Sequence, residues 1–354
     1  MNEVILDCDL MRFPNSGLYY YCQNLGNQFG KILHPREDRI KMYVPPKAGR
    51  PFNSAVRQVT ERPWHRFWQP FMRNCRVWHA AFQSGRIFPD KQKYKNVKIL
   101  LTIHDLNFLH EPRTDEEIRN SINHTQKMIN SSDAIVCISE FTKSDVLAHL
   151  DTGNKPVYVI HNGKNALQPA ELAVNSYQPA RPFLFGMGYV NRKKNYKVLL
   201  SLLRQNNDIE LLIAGCLDEP EYIRSMQQTA TECGVSDRLK ILGPVTENEK
   251  TWYLSNCQAF MHPSLAEGFG FPVIEAMTFG KPVFLSDTTS LPEIGGDVAF
   301  YFSSFEEDHM QNVFKQGMQQ YGANGLSKRI KMRGEQFCWE KSAKKYLEVY
   351  RSLY

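Results

Sequence analysis

The stretch of sequence that is most informative about the fold spans residues 262–287 and reads HPSLAEGFGFPVIEAMTFGKPVFLSD. An apolar run ends just before it, a glycine-rich loop follows, and a helical pattern begins near Pro272. Proline in the first turn of a helix is pre-organised, and the free amides in front of it form a site for an anion. The pattern therefore predicts a strand, an anion-binding loop and a helix, in that order.

Two glutamates flank this loop, Glu267 before it and Glu275 one turn into the predicted helix. Gly268 and Gly270 allow the backbone between them to approach a ligand closely. The loop amides and the positive end of the helix dipole suit a diphosphate. Glu275 is then placed to accept hydrogen bonds from ribose hydroxyls, and Glu267 to orient the hydroxyls of a sugar. The alternative is a helix with an ordinary acidic first turn.

On both sides of this stretch, short apolar runs alternate with amphipathic segments, as in parallel α/β units. The runs that predict buried strands are VILDCD near the start, VKILLTIHD (97–105), AIVCIS (134–139), VYVIHNG (157–163), FLFGMG (183–188), IELLIAG (209–215), LKILG (239–243), AFMHPS (259–264) and KPVFLSD (281–287). Each ends in polar residues or glycine, where an open α/β sheet places its ligand loops. We therefore expect an α/β fold of two Rossmann-like domains that face each other across a cleft.

The domain boundary is expected in the polar, proline-containing stretch from Lys164 to Pro182, which interrupts the pattern. This divides the chain into an acceptor-binding domain over residues 1–170, a donor-binding domain over 171–335 and a closing helix over 336–354. Apolar residues at helical spacing in the last segment predict that this helix packs on a core. They are Phe337, Ala343, Tyr346, Leu347 and Tyr350.

Composition is that of a globular protein, with 42% hydrophobic and 23% charged residues among 354. The N-terminus carries acidic residues where an export signal is basic, and no apolar run approaches the roughly 20 residues that span a bilayer. The eight cysteines are scattered without a CxxC pair, which favours reduced thiols over a zinc site. We expect a cytoplasmic protein, with attachment to the inner face of a membrane as an alternative.

Several motifs together resemble one family. EGFGFPVIEAMTFGKPV (267–283) resembles the signature of the retaining GT-B glycosyltransferases, which include glycogen synthases, sucrose synthases and many bacterial mannosyl- and glucosyltransferases. FLFGMGYVNRKKNYKVLL (183–200) resembles that family's basic segment at the donor diphosphate, and IHDLNFLHEP (103–112) resembles its His-Asp turn beside the reacting sugar. The resemblance extends over roughly residues 97–302. In the N-terminal loop, Ser16-Gly17 stands where the family usually has two adjacent glycines.

The resemblance also implies roles for individual residues. The residues implied in catalysis are His104, Asp105, Lys194 and Glu267. Those implied in donor binding are Gly17, Gly188, Arg192, Lys193, Asn195, Gly243, Pro244, Gly268, Phe269, Gly270, Phe271 and Glu275. Because cations and amides meet the diphosphate in this family, the resemblance implies activity without a metal or other cofactor.

The function implied is transfer of a hexosyl group, of mannose or glucose type, from a nucleotide-diphosphate sugar to a glycan or lipid-linked acceptor. GDP-mannose is the first candidate donor, and cell-surface polysaccharide or lipopolysaccharide synthesis is the expected role. The alternatives are a GT-B-fold epimerase or phosphorylase and a sugar-nucleotide-binding subunit without catalysis. A dinucleotide-dependent oxidoreductase is disfavoured, because the third glycine of the fingerprint after Gly186 and Gly188 is replaced by Asn191.

A basic block is the second unusual feature. Residues 31–100 contain sixteen Lys or Arg and four Asp or Glu, a net charge of +12 within a chain of +6. Inside it, residues 62–82 place aromatic residues and arginines in two stripes at helical spacing, although Pro70 would kink or interrupt a continuous helix unless it opens a second one. The aromatic stripe comprises Trp64, Phe67, Trp68, Phe71, Cys75, Trp78 and Phe82, and the basic one Arg62, Arg66, Arg73 and Arg76. The stripes indicate either an amphipathic element packed on the N-terminal domain or a surface for an anionic membrane or lipid-linked acceptor. Nucleic acid is a weaker choice, because no binding motif accompanies the charge.

Overall fold

The structure is a computed structural model, and it describes residues 3–14, 16–33, 39–53, 56–83, 87–165, 167–323 and 325–354. The strands in these ranges are β1 (Glu3–Asp7), β2 (Arg39–Val44), β3 (Arg57–Thr60), β4 (Cys75–Ala80), β5 (Lys98–Ile103), β6 (Ala134–Cys137), β7 (Val157–Val159), β8 (Phe183–Met187), β9 (Glu210–Ala214), β10 (Leu239–Gly243), β11 (Ala259–His262), β12 (Val283–Ser286) and β13 (Phe300–Phe302). The helices are α1 (Gly17–Ile32), α2 (Asp115–Ser131), α3 (Glu140–His149), α4 (Leu200–Gln205), α5 (Pro220–Glu232), α6 (Glu247–Asn256), α7 (Phe271–Thr278), α8 (Leu291–Gly295), α9 (Glu307–Ala323), α10 (Leu326–Glu335) and α11 (Trp339–Ser352).

The chain divides into two compact units, Met1–Gly163 with Cys338–Tyr354, and Lys164–Phe337. The division thus lies slightly before residue 170, and α11 is part of the first unit. Apart from Ala166, which lies outside the described residues, the expected linker over 164–182 contains no helix or strand. Hydrogen bonds from Ser176 to Glu249 and from Tyr177 to Glu210, both 2.6 Å, hold it against the second unit.

The first unit is built on a parallel sheet with the strand order β3-β2-β1-β4-β5-β6-β7 among the described residues. Its central strands β1, β4, β5 and β6 are almost entirely buried, as expected for a parallel sheet covered on both faces. The order reverses between β1 and β4, and ligands of open α/β sheets bind outside the carboxyl ends of strands at such a point.

The C-terminal helix α11 packs on the first unit. Ala343, Tyr346, Leu347 and Tyr350 are all buried, which confirms the predicted apolar face. The Tyr346 hydroxyl lies 2.8 Å from that of Tyr21, so the helix is also fixed by a buried hydrogen bond.

The second unit repeats the design with a parallel sheet of order β10-β9-β8-β11-β12-β13 in the described part of the chain. The order reverses between β8 and β11. The basic segment follows β8 and the glycine-rich loop follows β11, so both leave the sheet at this reversal. The parallel α/β architecture expected from the sequence is confirmed.

The helical interpretation of residues 62–82 is wrong. The segment forms two short 3-10 turns, Pro63–Arg66 and Pro70–Asn74, followed by strand β4. Proline has no amide hydrogen to donate and clashes with the preceding helical turn, so a continuous helix through Pro70 is disfavoured. The predicted aromatic stripe is consequently divided, with Cys75 and Trp78 buried and Trp64, Phe67 and Trp68 exposed.

Candidate active site

The glycine-rich loop of the second unit joins β11 to α7, as the sequence predicts. Gly270 precedes the helix with φ +102°, in the left-handed region, and a Cβ there would lie 3.2 Å from Leu291 Cδ2. Pro272 occupies the first turn of α7, and residues 268–271 lie at the positive end of this helix. The local backbone therefore has the order of strand, glycine loop and helix that the sequence predicts, and Gly268 is buried within the loop.

Glu267, which opens this loop, is buried at 9% exposure and is held by two other groups. Its Oε1 accepts hydrogen bonds from Lys194 Nζ and from His262 Nε2, the latter at 2.8 Å. Its backbone is fixed as well, because the Glu267 amide donates to Thr289 Oγ1 at 3.0 Å and its carbonyl accepts from Ser290 Oγ at 2.8 Å. The fold thus unites two sequence-predicted residues, Lys194 and Glu267, that lie far apart in the chain.

The charges of this cluster favour an ionised carboxylate. Burial alone would raise the pKa of Glu267, but Lys194 and His262 together hold it well below its ordinary value. Burial lowers the pKa of His262, and nearby Lys194 adds to that effect while Glu267 opposes it. A neutral His262 that donates from Nε2 keeps Nδ1 as an acceptor, and among the described residues Nδ1 has no hydrogen-bond partner.

A similar arrangement surrounds Glu275, which is buried inside α7. Its Oε1 accepts hydrogen bonds from Asn165 Nδ2 at 2.5 Å and from Lys250 Nζ at 3.2 Å. Burial raises the pKa of Glu275, although Lys250 and Asn165 act in the opposite direction. Lys250 is itself 3% exposed; burial would lower its pKa, but Glu275 and Glu247 raise it. The pair is therefore a buried ion pair that needs both partners.

The two glutamates are presented in the same way. Within the described part of the chain, the side-chain contacts to Glu267 and Glu275 all engage Oε1. Each carboxylate is thus fixed through Oε1.

The basic segment after β8 places its three cations differently. Lys194 is 9% exposed and points to Glu267, whereas the side chain of Arg192 is 70% exposed and pairs with Glu219 at 3.3 Å. Lys193 is half-buried, and its carbonyl accepts the Leu265 amide at 2.8 Å, which ties this segment to the loop after β11. Asn195 adopts φ +56°, a left-handed turn that asparagine tolerates. Lys194 is therefore the cation that the fold assigns to the site.

Glycines end three neighbouring strands of this sheet. Gly188, Gly215 and Gly243 follow or end β8, β9 and β10, and all have positive φ. Backbone hydrogen bonds link the ends of these strands: Gly188 N donates to Ala214 O at 3.0 Å, and Gly215 N donates to Gly243 O at 2.8 Å. A Cβ on Gly188 would lie 3.1 Å from Lys194 Cε, so glycine keeps the space beside that lysine open.

The remaining predicted donor residues lie around this frame. Pro244 follows Gly243 and is exposed. Phe269 is 3% exposed and packs edge-on against Phe271 and Phe337, with ring centroids 5.5 and 5.6 Å apart. The Phe269 side chain therefore supports the loop from inside the unit, while Phe271 is half-buried at the start of α7.

In the first unit, His104 lies just after β5 and is buried at 4% exposure. Its Nε2 lies 2.8 Å from the Ala81 carbonyl, and its ring meets Tyr21 edge-on with centroids 4.8 Å apart. Burial lowers its pKa to about 4, against a small opposing effect of the Ala81 carbonyl, so the ring is neutral near pH 7. A neutral ring that donates from Nε2 keeps Nδ1 as an acceptor for a hydroxyl group.

Two further predicted residues, Asp105 and Gly17, lie in the same unit as His104, and this unit also contains a small cavity. Asp105 is half-buried and its Oδ1 accepts the Asn107 amide at 3.1 Å, which shapes the turn after His104. Gly17 is exposed and opens α1, whose first turn is capped by Ser16 through the Tyr19 amide at 3.1 Å. The cavity is lined by Asp7, Asp9, Leu10, Leu18, Tyr21, Cys22, Ala81 and Phe82. It lies at the carboxyl ends of β1 and β4, where the strand order reverses.

Sequence reasoning missed several residues of these sites. His262 was not among the predicted site residues, yet it bonds Glu267, and its position five residues before that glutamate was the available signal. Asn165 and Lys250 carry no local signal, because the fold brings them to Glu275 from other segments. The Tyr196 hydroxyl is also buried without a hydrogen-bond partner in the described residues, close to where a Gly188 Cβ would lie.

Comparison with known proteins agrees with these features. A family model described as glycosyltransferase family 4 matches residues 34–166, and one described as glycosyl transferases group 1 matches residues 170–319. The chain is 25% identical over 280 residues to O-antigen chain mannosyltransferase B of Escherichia coli, covering 72% of this chain and 71% of that protein. The match to two further mannosyltransferases, RfbU of Salmonella typhimurium and WbdA of Escherichia coli, covers 50% and 31% of the length of those proteins.

Solved structures extend the likeness to the whole fold. Sucrose-phosphate synthase from Thermosynechococcus elongatus has a TM-score of 0.77 at 16% identity, covering 100% of this chain and 99% of that one. HepE of Anabaena, solved with UDP and glucose, has a TM-score of 0.74 at 16% identity and covers 99% of this chain and 100% of its own. With its two parallel sheets and the matches to both family models, this chain belongs to the group 1 glycosyltransferases and has their GT-B fold.

Proposed function

We propose that this glycosyltransferase moves a mannosyl or related hexosyl group from a nucleoside-diphosphate sugar to a glycan or lipid-linked acceptor, with retention of anomeric configuration. The observation that carries the proposal is the pair of tethered carboxylates, Glu267 and Glu275, on either side of the glycine-rich loop. Glu275 is suited to the ribose hydroxyls and Glu267 to those of the sugar. The name of the Escherichia coli relative supports mannose, and GDP-mannose is the first donor to test.

The second unit has the groups needed to stabilise a leaving diphosphate. Lys194 is the buried cation, and the amides at the start of α7 supply further positive charge. The acceptor oxygen forms a bond to the anomeric carbon on the face from which the diphosphate leaves. The bond from that carbon to the phosphate oxygen breaks, its electron pair stays on the diphosphate, and the acceptor proton passes to a diphosphate oxygen. Because protein groups balance this charge, the reaction is proposed to need no metal ion.

His104 is the residue of the first unit for which we propose a role as a neutral side chain. Its Nδ1 accepts a hydrogen bond from a sugar hydroxyl, while the Ala81 carbonyl fixes the ring through Nε2. Asp105 acts on the backbone of the same turn and positions His104. A lipid-linked acceptor in polysaccharide synthesis would place the enzyme at the cytoplasmic face of a membrane.

The proposal is tested with a panel of GDP-mannose, UDP-glucose and ADP-glucose, measuring released nucleoside diphosphate with and without a lipid-linked glycan acceptor. The expected result is acceptor-dependent release from one donor. In Glu275→Ala, the loss of a charge-assisted contact worth about 1.5–3 kcal/mol should weaken donor binding roughly 10- to 150-fold. Glu335→Ala, which removes an exposed carboxylate from α10 of the same unit, is the matched control.

The alternatives give different products in the same assay. An epimerase would convert one sugar nucleotide into another, and addition of the acceptor would not increase the release of nucleoside diphosphate. A non-catalytic subunit would bind a donor and release nothing. Either result contradicts the proposed transfer.

A further inference from the structure

The two turns before β4 hold three large aromatic side chains in solvent. Trp64 is 44% exposed, Phe67 77% and Trp68 62%, and we call these three residues the aromatic patch. The other large hydrophobic residues that are exposed in the described chain, such as Leu147, Val174 and Met332, stand singly along the sequence. Scattered exposure of that kind is ordinary, whereas a contiguous aromatic surface marks an interaction site.

Buried neighbours hold the patch outward. His65 lies inside, 3% exposed, with Nδ1 3.0 Å from the Tyr43 hydroxyl and 3.2 Å from the Arg62 amide. The Phe71 ring of the second turn packs against Tyr43, with centroids 5.2 Å apart. Because these inner residues fix both turns, collapse of the patch into the core would require breaking buried contacts.

The surface around the patch is strongly basic. Residues 62–98 contain nine Lys or Arg and one acidic residue, Asp90. Arg62, Arg66, Arg73 and Arg76 are exposed in the turns and at the start of β4. The Arg66 guanidinium lies 5.7 Å from the Phe67 ring centroid, and Lys93 Nζ donates to the Phe67 carbonyl at 3.3 Å. Cations and aromatic rings therefore share one surface.

We propose that this surface docks the enzyme on an anionic lipid bilayer. Tryptophan and phenylalanine rings are stable at the level of the headgroups, and arginine binds phosphate groups there. In the part of the chain that the structure describes, every helix falls short of the length or the apolar character of a membrane span. The patch would attach the chain through rings in the interface and arginines on the phosphates. Such binding is separate from sugar transfer and is measured without any donor or acceptor.

The exposure and packing of the rings favour lipid over the other anionic partner, nucleic acid. Single-stranded nucleic acid also binds aromatic rings within basic grooves. Here Phe67 is the most exposed of the three rings, and the Trp64 and Trp68 rings pack on each other with centroids 5.5 Å apart, so the rings are paired with each other and open to solvent, which suits insertion into an interface. Nucleic acid binding is therefore kept as an outcome of the test.

The test is co-sedimentation of the full chain with vesicles of phosphatidylcholine alone and of equal parts phosphatidylcholine and phosphatidylglycerol. Tryptophan emission, which shifts to shorter wavelength on insertion, is recorded in parallel. Phe67→Ser with Trp68→Ser removes rings that are already in solvent, and Arg66→Glu with Arg73→Glu reverses two charges. Met332→Ser and Arg119→Glu are matched controls, since the first removes an exposed apolar side chain from α10 and the second an exposed arginine from α2.

Wild type and both controls are expected to sediment with anionic vesicles and much less with neutral ones. Each basic residue near an anionic leaflet contributes roughly fivefold to partitioning, so the arginine variant should lose more than tenfold. The serine variant should lose at least about fivefold and its emission shift, and high salt should weaken all anionic binding. Equal binding of wild type and serine variant would overturn the proposal, as would retention on single-stranded RNA or DNA without vesicle binding.

Discussion

Replacement of Lys194 by methionine separates the structural and chemical roles of the buried cluster around Glu267. Methionine retains much of the length of the lysine side chain but removes its charge. Among the described residues, Glu267 is then left with His262 as its remaining side-chain partner. Removing one member of a buried ion pair costs about 3–5 kcal/mol. Since Lys194 and Glu267 retain slight exposure, 9% each, the lower end of that range applies. For a unit of this size, a loss of about 3 kcal/mol corresponds to a decrease in Tm of roughly 6–12 °C.

This loss of stability should depend on pH in a defined direction. The pKa of Glu267 is lowered in the folded protein, so its ionised form stabilises the fold above its unfolded pKa of about 4.3. That stability is lost as the pH falls through the folded pKa. The difference in Tm between wild type and Lys194→Met should therefore be full at pH 7 and shrink below about pH 4.

Turnover is expected to fall for a separate reason. If Lys194 neutralises the leaving diphosphate, about 3 kcal/mol of transition-state stabilisation is lost, or roughly two orders of magnitude in kcat, with a smaller change in donor affinity. The assay is initial-rate kinetics at a temperature where both proteins remain folded, with Lys328→Met as the exposed control. Lys194→Met combined with Glu267→Gln should regain most of the lost Tm and none of the turnover. Wild-type kcat in Lys194→Met would refute the assignment.

Three further outcomes are expected. Lys250→Met should raise the KM for the donor about tenfold with little effect on kcat, because burial already raises the pKa of Glu275 and loss of the Lys250 cation raises it further, which disfavours the ionised carboxylate. Raising the pH should therefore lower KM in this variant, and a pH-independent KM would contradict the explanation. Because burial lowers the pKa of His104 to about 4, this residue should not change its protonation state between pH 6 and 8. Wild type and His104→Asn should therefore show the same pH dependence of kcat/KM in that range. A change of kcat/KM with pH that is present in wild type and absent in His104→Asn would show that His104 titrates there. Activity should survive excess EDTA, whereas complete loss that magnesium or manganese reverses would disprove metal independence.

The sequence predicts the fold well where its signals are local. Buried parallel strands appear as apolar runs, and the glycines, Pro272 and the two glutamates fall at fixed offsets around one loop, so strand, loop and helix follow directly from the sequence. The apolar spacing of α11 is equally local, and its buried face is confirmed. In residues 62–82, by contrast, aromatic spacing suggested a helix where Pro63 and Pro70 start two short turns and β4 pairs with distant strands. Long-range strand pairing overrode the local periodicity there.

The partners of the site residues follow from tertiary structure. Asn165 and Lys250 reach Glu275 from the start of the second unit and from α6, and neither position has a distinctive neighbourhood in the sequence. Among the successive cations at 192–194, the family resemblance favours Lys194, but their exposure depends on how the turn after β8 folds. The turn buries Lys194 beside Glu267 and directs Arg192 to Glu219. Burial and ion pairing, which spacing does not encode, decide which cation enters the site.

We propose above that the loop between β11 and α7 binds the diphosphate of a sugar nucleotide. The decisive measurement is a crystal structure of the protein with the nucleoside diphosphate of its preferred donor. We expect phosphate oxygens within hydrogen-bond distance of Lys194 Nζ and of the amides of residues 268–271, with both ribose hydroxyls on Glu275. A nucleotide bound elsewhere in the protein, or bound with Glu275 still remote from the ribose, would contradict it.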